Sequence, residues 1–407
     1  MNGVSEEKQS NVTKVDHLIF ILVTVMYWFT IYSYVPILTA YLDFLGATYM
    51  FIGVVVGSYG LLQMLIRLPL GIYSDVIKRR RPFIILGIAI GSLSCFGFIL
   101  TDQLGWTLLF RALAGVSAST WVAFTVLYAS YFSKQEITKA MGWISVTMVL
   151  GQLVSMIFSG VVVERFGWKV PFWIGGIAGV IGLVLCIWLK EEKEGVNRKP
   201  INVKELFMIV KEPQLIKVTL LSVLAYSIIF ITIFGFTPKY ALQLGASTVG
   251  LSYLVIVFVV PHAFAAIVVG KWLRPRLGHW GTLFVGFIAS AMMTGLIPLV
   301  SSFSLLLITQ AINGFALGVV LPLLLGMSIE SVEDEKRATA MGFYQAVYAA
   351  GMFVGPFVAG MLNSMFDLSA GFYFGGLIGI IGVLLVVVWK RVEENEAKAK
   401  RQNAAVK

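Results

Sequence analysis

Residues 170–189 read VPFWIGGIAGVIGLVLCIWL, and residues 370–389 read AGFYFGGLIGIIGVLLVVVW. Neither run contains a charge. Roughly 20 residues at about 1.5 Å rise each are enough to cross a hydrocarbon layer of about 30 Å. The two runs also share a pattern: Gly175-Gly176, Gly179 and Gly182 fall on Gly375-Gly376, Gly379 and Gly382, an offset of 200. Small residues about one turn apart let membrane helices pack closely. One packing face is therefore written twice.

The correspondence continues outward. Ala140-Met141-Gly142 recurs as Ala340-Met341-Gly342, Gly151 as Gly351 and Gly160 as Gly360. Earlier in each half the offset is 199. It carries Leu45-Gly46-Ala47 onto Leu244-Gly245-Ala246, Gly71 onto Gly270 and Gly115 onto Gly314. Glycine is common in membrane helices, so one match means little. A nearly constant offset through most of each half predicts a two-fold internal repeat. Parallel repeats of six-helix halves are a transporter architecture, with the substrate region between the halves near the midplane.

Apolar runs predict twelve spans, at 17–41, 48–73, 82–101, 105–130, 140–163, 170–189, 215–238, 247–270, 281–299, 303–328, 338–362 and 370–390. Lipid offers no partner for free backbone groups, so the spans are read as helices. The predicted fold class is an all-α integral membrane protein of twelve transmembrane helices in two six-helix bundles. Residues 1–189 form the first bundle, 190–214 a charge-rich cytoplasmic linker, and 215–407 the second bundle with a short tail. Only 13% of the 407 residues are charged and 58% are hydrophobic; a soluble chain carries about 25% charged residues. No separate soluble domain is expected.

The net charge of +10 invites a nucleic-acid reading, but its distribution points to topology. With the N-terminus inside, 26 of the 31 Lys and Arg fall in inward segments and three in outward ones; Arg67 and Arg111 lie within helices. This bias predicts a multi-pass protein of the cell membrane with both termini cytoplasmic. Anionic lipid headgroups are then the partners of the basic segments, and no nucleic acid is expected. The first run is long enough to span and lacks a cleavage site after a short core, so it is read as a retained helix. Cys95 and Cys186 lie inside apolar runs, and the three histidines are far apart, so no metal site or disulfide framework is expected. No phosphate-cradling Gly-Lys-Ser/Thr loop is present, and no cofactor or ATP-driven step is predicted.

The loop after the second span reads Gly71-x-x-x-Asp75-x-x-Lys78-Arg79-Arg80-Arg81. It resembles the signature loop of the major facilitator superfamily, with Lys78 where that pattern usually has Gly. The second-half counterpart, Gly270 to Gly278, keeps the first glycine and places Arg274 where the acid would be. Arg111-x-x-x-Gly115 is similar to the family's intramembrane arginine motif. Gly351-x-x-x-Gly355-Pro356-x-x-x-Gly360 resembles the Gly-Pro motif that family antiporters carry in the fifth helix; here that helix has Ser155-Met156 instead. The resemblance covers essentially the whole chain and implies rocking of the two bundles. It also implies gating roles for Gly71, Asp75, Arg79, Arg80, Gly355 and Pro356, with Asp75 and the basic run forming a latch. The simpler reading of Asp75 is a solvated charge that helps set orientation.

Arginine in hydrocarbon costs at least roughly 2.5 kcal/mol on insertion scales, so such residues usually face a cavity. Arg111 is read that way, against the alternative of snorkelling to the outer interface. Arg67 shares a face with Gln63 and Gly71 and is read either as a cavity residue or as a structural arginine near the cytosolic end. His262, after Pro261, is read as a proton carrier or as a neutral imidazole bonded to carbonyls the proline frees. Trp28, Tyr32, Trp121, Tyr226, Tyr344 and Tyr348 are candidates for an apolar wall with polar tips. Gln310 and Asn313 are further candidates because amides need partners; Gln310 occupies the repeat position of Arg111.

No Asp or Glu falls in the middle of any predicted span. That balance suits a neutral or anionic organic substrate better than a cation. The favoured expectation is nevertheless a proton-coupled secondary transporter, working as a monomer, that exports a small organic or amphipathic solute, on overall resemblance to drug-efflux members. Uptake of a small organic anion by symport is the alternative branch. A non-transporting receptor on the same fold is a second class. No enzyme is expected, because no acid pair, His cluster or nucleophile–base pattern is present.

Overall fold

The structure is a computed structural model. It describes residues 12–133, 136–191, 212–330, 332 and 337–405. Most of the 190–214 linker lies outside the described residues, as does the side chain of Asp75.

Twelve helices in chain order build the described chain: α1 Lys14–Phe44, α2 Tyr49–Ile77, α3 Arg81–Leu100, α4 Leu104–Ala129, α5 Ile137–Phe166 and α6 Val170–Trp188 in the first half. The second half contains α7 Pro213–Gln243, α8 Thr248–Val268, α9 Arg274–Leu296, α10 Phe303–Glu330, α11 Arg337–Met365 and α12 Leu368–Ala405. Helices α8 and α9 join in one apolar stretch of 52 residues. Straight, it would run about 78 Å. It turns back instead at Gly278, whose φ of +68° is a left-handed value that suits glycine. Gly314 and Gly318 of α10 lie against Phe258 and His262 of α8, and Gly286 of α9 lies against Ala316, Val319 and Val320 of the same stretch of α10, so the chain crosses twice.

The internal repeat is a repeat in space. A Cβ on Gly115 of α4 would meet the Tyr59 carbonyl of α2 at 2.3 Å, and one on Gly314 of α10 would meet the Phe258 carbonyl of α8 at 2.2 Å. These pairs are 199 residues apart. Helix α1 breaks at Tyr34–Ile37 beside Pro36 and resumes at Leu38–Phe44. Helix α7 breaks in a π turn at Thr232–Phe236 and resumes at Thr237–Gln243, again 199 residues later. The same offset gives Gly46 and Gly245 their left-handed turns.

The halves meet along two related seams. In α2 and α11, Gly53 lies against the Pro356 carbonyl and Gly360, and Gly57 against Phe353. In α5 and α8, Gly160 lies against Thr248 and Ser252. The α5–α8 seam sits toward the end that carries Asp43, Glu164 and Asp367, here called the far face; the α2–α11 seam begins there and continues to Leu68 against Gly342. The other end carries Lys14, Arg79–Arg81 and Lys190 and is called the basic face. Near it, a Cβ on Gly71, Gly142 or Gly270 would meet nothing within 4 Å. Gly71, in the signature-like loop, thus has open space beside it and no helix packed against it.

Candidate functional site

Helix α4 breaks at Thr120, between its Leu104–Ser119 and Trp121–Ala129 parts. A helix end leaves carbonyls without partners. Two side chains reach these. The Tyr27 hydroxyl donates to the Ser117 carbonyl at 2.7 Å, and the Arg67 guanidinium donates to the Ala118 carbonyl at 3.3 Å. Arg67 also donates across to α11, to Gln345 Oε1 at 3.0 Å and the Tyr348 hydroxyl at 3.3 Å. It thus ties α2 and α4 of one half to α11 of the other.

About two turns closer to the far face along α4, Arg111 donates to the Tyr34 hydroxyl at 3.3 Å. Its guanidinium carbon lies 4.5 Å from the centre of the Tyr59 ring and 5.6 Å from that of Tyr34. Ring faces carry negative charge density and stabilise the cation. Arg67 and Arg111 are each 3% exposed. Among the described residues, no carboxylate pairs with either. Arg111 is therefore an interior group, not one snorkelling to an interface.

Aromatic side chains from both halves close around these cations. Trp28 packs edge-on to Trp121 at 5.0 Å and against Tyr32 at 5.6 Å. Tyr32 meets Phe234, and Tyr59 meets Phe230, across the interface between the halves. Tyr226 stacks on Tyr348 at 4.0 Å, and Tyr344 stands edge-on to Tyr348 at 5.4 Å. Ser222 donates to the Tyr344 hydroxyl at 2.7 Å. Tyr32, Trp121, Tyr226 and Tyr348 keep part of their surface exposed, so free space adjoins them. Trp28 Nε1, Gln63 Oε1, Arg67 Nε and Arg111 Nε are buried without a partner. Such groups cost roughly 1–3 kcal/mol each unless something binds them.

The structure therefore brings together Trp28, Tyr32, Gln63, Arg67, Arg111, Trp121, Tyr226, Tyr344 and Tyr348. It does not bring in His262 or Asn313. His262 stacks on Phe258, and its backbone abuts Gly318 of α10, which puts it in the α8–α10 seam. Asn313 accepts from Ser290 of α9 at 2.7 Å, so its amide bridges two helices of one half. Gln310 is fully buried with both amide atoms unpartnered. Sequence reasoning missed Tyr34, Tyr59, Phe230, Phe234 and Gln345. Tyr59 had a signal, since it lies one turn before Gln63 and Arg67 on the same face.

The proposed gating residues divide. Gly355 lies against Ser227 of α7 and Pro356 against Gly53 of α2, so this pair stands where three helices meet. Arg79 is exposed. Arg80 is 5% exposed, and its guanidinium bonds the Ser74 hydroxyl. The Glu191 carboxylate accepts from the backbone N–H of Arg80 and, at 3.3 Å, of Arg81, which caps the start of α3. Glu191 went unread in the sequence. Lys78 is in the left-handed region at φ 55°, the position where the family pattern has glycine.

At the far face, polar contacts cross between the halves. Lys239 pairs with Asp43 and lies 4.0 Å from the centre of the Tyr49 ring. The Thr248 hydroxyl bonds Glu164. The Met50 N–H donates to Ser364 Oγ at 2.8 Å, and the Ser252 hydroxyl donates to the Ile157 carbonyl at 2.6 Å. Lys239, one of the three Lys and Arg that the topology assigns outward, is a mostly buried helix residue. Beside this seam, Asp102 bonds Lys169 at 3.0 Å and accepts from Tyr41 at 3.0 Å. The Lys169 bond holds its carboxyl below the ordinary range.

Comparisons place this geometry among known proteins. The profile of the Major Facilitator Superfamily matches residues 20–303 and 280–407. Inner membrane transport protein YajR of Escherichia coli is 26% identical over 363 residues, which cover 88% of this chain and 78% of that protein. Multidrug resistance protein 2 of Bacillus subtilis is 24% identical over 390 residues, covering 90% and 92%. The crystal structure of the nucleoside transporter NupG superposes with a TM-score of 0.75 at 14% identity, covering 93% of this chain and 99% of that one. With a twelve-helix two-fold repeat, seams between the halves and a profile match over nearly the whole chain, the protein is a multi-pass membrane transporter of the major facilitator superfamily.

Proposed function

We propose that this chain exports a small organic or amphipathic solute by alternating access, driven by proton re-entry. The observation that carries the site is the arginine–aromatic cluster, which takes side chains from both halves and leaves buried polar atoms unpartnered. A solute bound there touches both bundles and so senses their relative motion. The far face is latched by Asp43–Lys239 and Glu164–Thr248, while the basic face has room beside Gly71, Gly142 and Gly270. With the basic face cytoplasmic, as the charge bias favours, this is the inward-facing side of the cycle. Export is supported by the names of relatives such as Multidrug resistance protein 2. The setting is the cell membrane, with lipid as neighbour, a single chain as the working unit and no catalytic chemistry.

One observation favours the alternative of anion uptake by symport: two buried arginines stand at the site without a mid-span acid. Flux in proteoliposomes under an imposed pH gradient separates the branches. Solute leaving against the proton gradient supports export, and solute entering with protons supports symport. Absence of gradient-dependent flux for organic anions, zwitterions and dyes alike would favour a receptor on this fold.

A further inference from the structure

Arg111 of α4 lies over the Tyr59 ring of α2, Arg67 stands farther along α2, and no acid among the described residues balances them. The available partners are neutral: an amide oxygen, two tyrosine hydroxyls, one backbone carbonyl and two ring faces. Desolvated charge held by neutral groups is poorly compensated, and an anionic oxygen is a far stronger partner. Both guanidinium Nε atoms remain unbonded. Rings of both halves gather here: Trp28 meets Tyr32 and Trp121 in the first half, and Tyr226 stacks on Tyr348, which accepts from Arg67, in the second.

We infer that the solute is an aromatic organic anion, whose acidic group is held by Arg67 and Arg111 while its ring lies among Tyr32, Tyr59, Tyr226 and Tyr348. This rests on the transporter reading above and names the substrate class of that same site. The anion also competes with Gln345 and Tyr348 for Arg67, so binding loosens a tie between the two halves. Recognition of a cation here would add a third positive charge to a site already holding two.

The test uses the purified full-length chain and three probes of matched ring: naphthalenesulfonate, naphthyl-trimethylammonium and naphthalenemethanol. Equilibrium dialysis reads binding, and counterflow in proteoliposomes reads exchange. The expected result is sulfonate binding at least about tenfold tighter than either other probe. Arg111→Gln and Arg67→Gln should each weaken it about tenfold or more, while Arg111→Lys keeps the sulfonate preference. The ranking in the wild-type chain decides the matter even if a Gln variant fails to fold. Tighter binding of the ammonium probe, or a ranking indifferent to both arginines, would overturn the inference. Exchange of the ammonium or neutral probe without the sulfonate would do the same and leave the transporter reading standing. Arginine-dependent sulfonate binding without exchange of any probe would uphold the substrate class and remove the transport reading.

Discussion

Lys78 holds φ 55° at the end of α2, a conformation that costs an L-residue roughly 1–2 kcal/mol. Lys78→Gly should raise the thermal melting temperature, by up to about 1 kcal/mol of stability, and Lys78→Val should lower it. A fall on Lys78→Gly would show that the lysine side chain matters more than the backbone. The Asp102–Lys169 bond carries a pH signature. A carboxyl lowered in the folded state contributes stability above its ordinary range and loses it as pH falls through the lowered value. Melting of the wild type should therefore decline somewhat more steeply than that of Asp102→Asn between about pH 5 and about pH 3. The effect is small because both groups are largely exposed. At this scale the sequence was only partly legible. Intramembrane Arg67, Arg111 and Gln63 announced themselves by their cost in lipid. Tyr34 and Phe234 did not, since an aromatic in an apolar run is as cheap facing lipid as facing a cavity. His262 and Asn313 lie apart from the cluster, since a polar group in a span can also sit in a seam between two helices of one half.

Helix pairs explain which glycines matter. Gly115→Ala and Gly314→Ala place a methyl within about van der Waals overlap of a backbone carbonyl that cannot move alone. Overpacking of this kind typically costs about 1–3 kcal/mol. Both variants should lower melting temperature, and by similar amounts if the repeat is structural. Gly71→Ala and Gly270→Ala have open space and should melt near the wild type. Equal loss at all four sites would contradict the packing account, because helix propensity by itself favours alanine over glycine. Helix number and order were legible because lipid forces long uncharged runs to be helices. The breaks in α1, α4 and α7 were less so. Pro36 marks one, but the α4 break at Thr120 is met by the tertiary partners Tyr27 and Arg67, and the π turn at Thr232–Phe236 contains no proline. Helix α12 runs to Ala405, past the apolar part that ended the predicted span, because its Lys- and Glu-rich tail is still helix-forming in water.

The alternating-access reading proposed above requires the far face, where the two halves meet, to part. The repeat was legible in the offsets, since both halves reuse the same close contacts and glycine is what those contacts allow. Which face is closed was not legible, because the same residues serve both states and only their pairing differs. The direct test is to pin the far seam. Met50 and Ser364 come from different halves and share a 2.8 Å hydrogen bond, near enough for a disulfide between Met50→Cys and Ser364→Cys with Cys95 and Cys186 replaced by serine. The account predicts gradient-driven flux in proteoliposomes that stops when this bridge is oxidised and returns on reduction, with each single variant active throughout. Full flux with the bridge verifiably closed would contradict alternating access between these two halves.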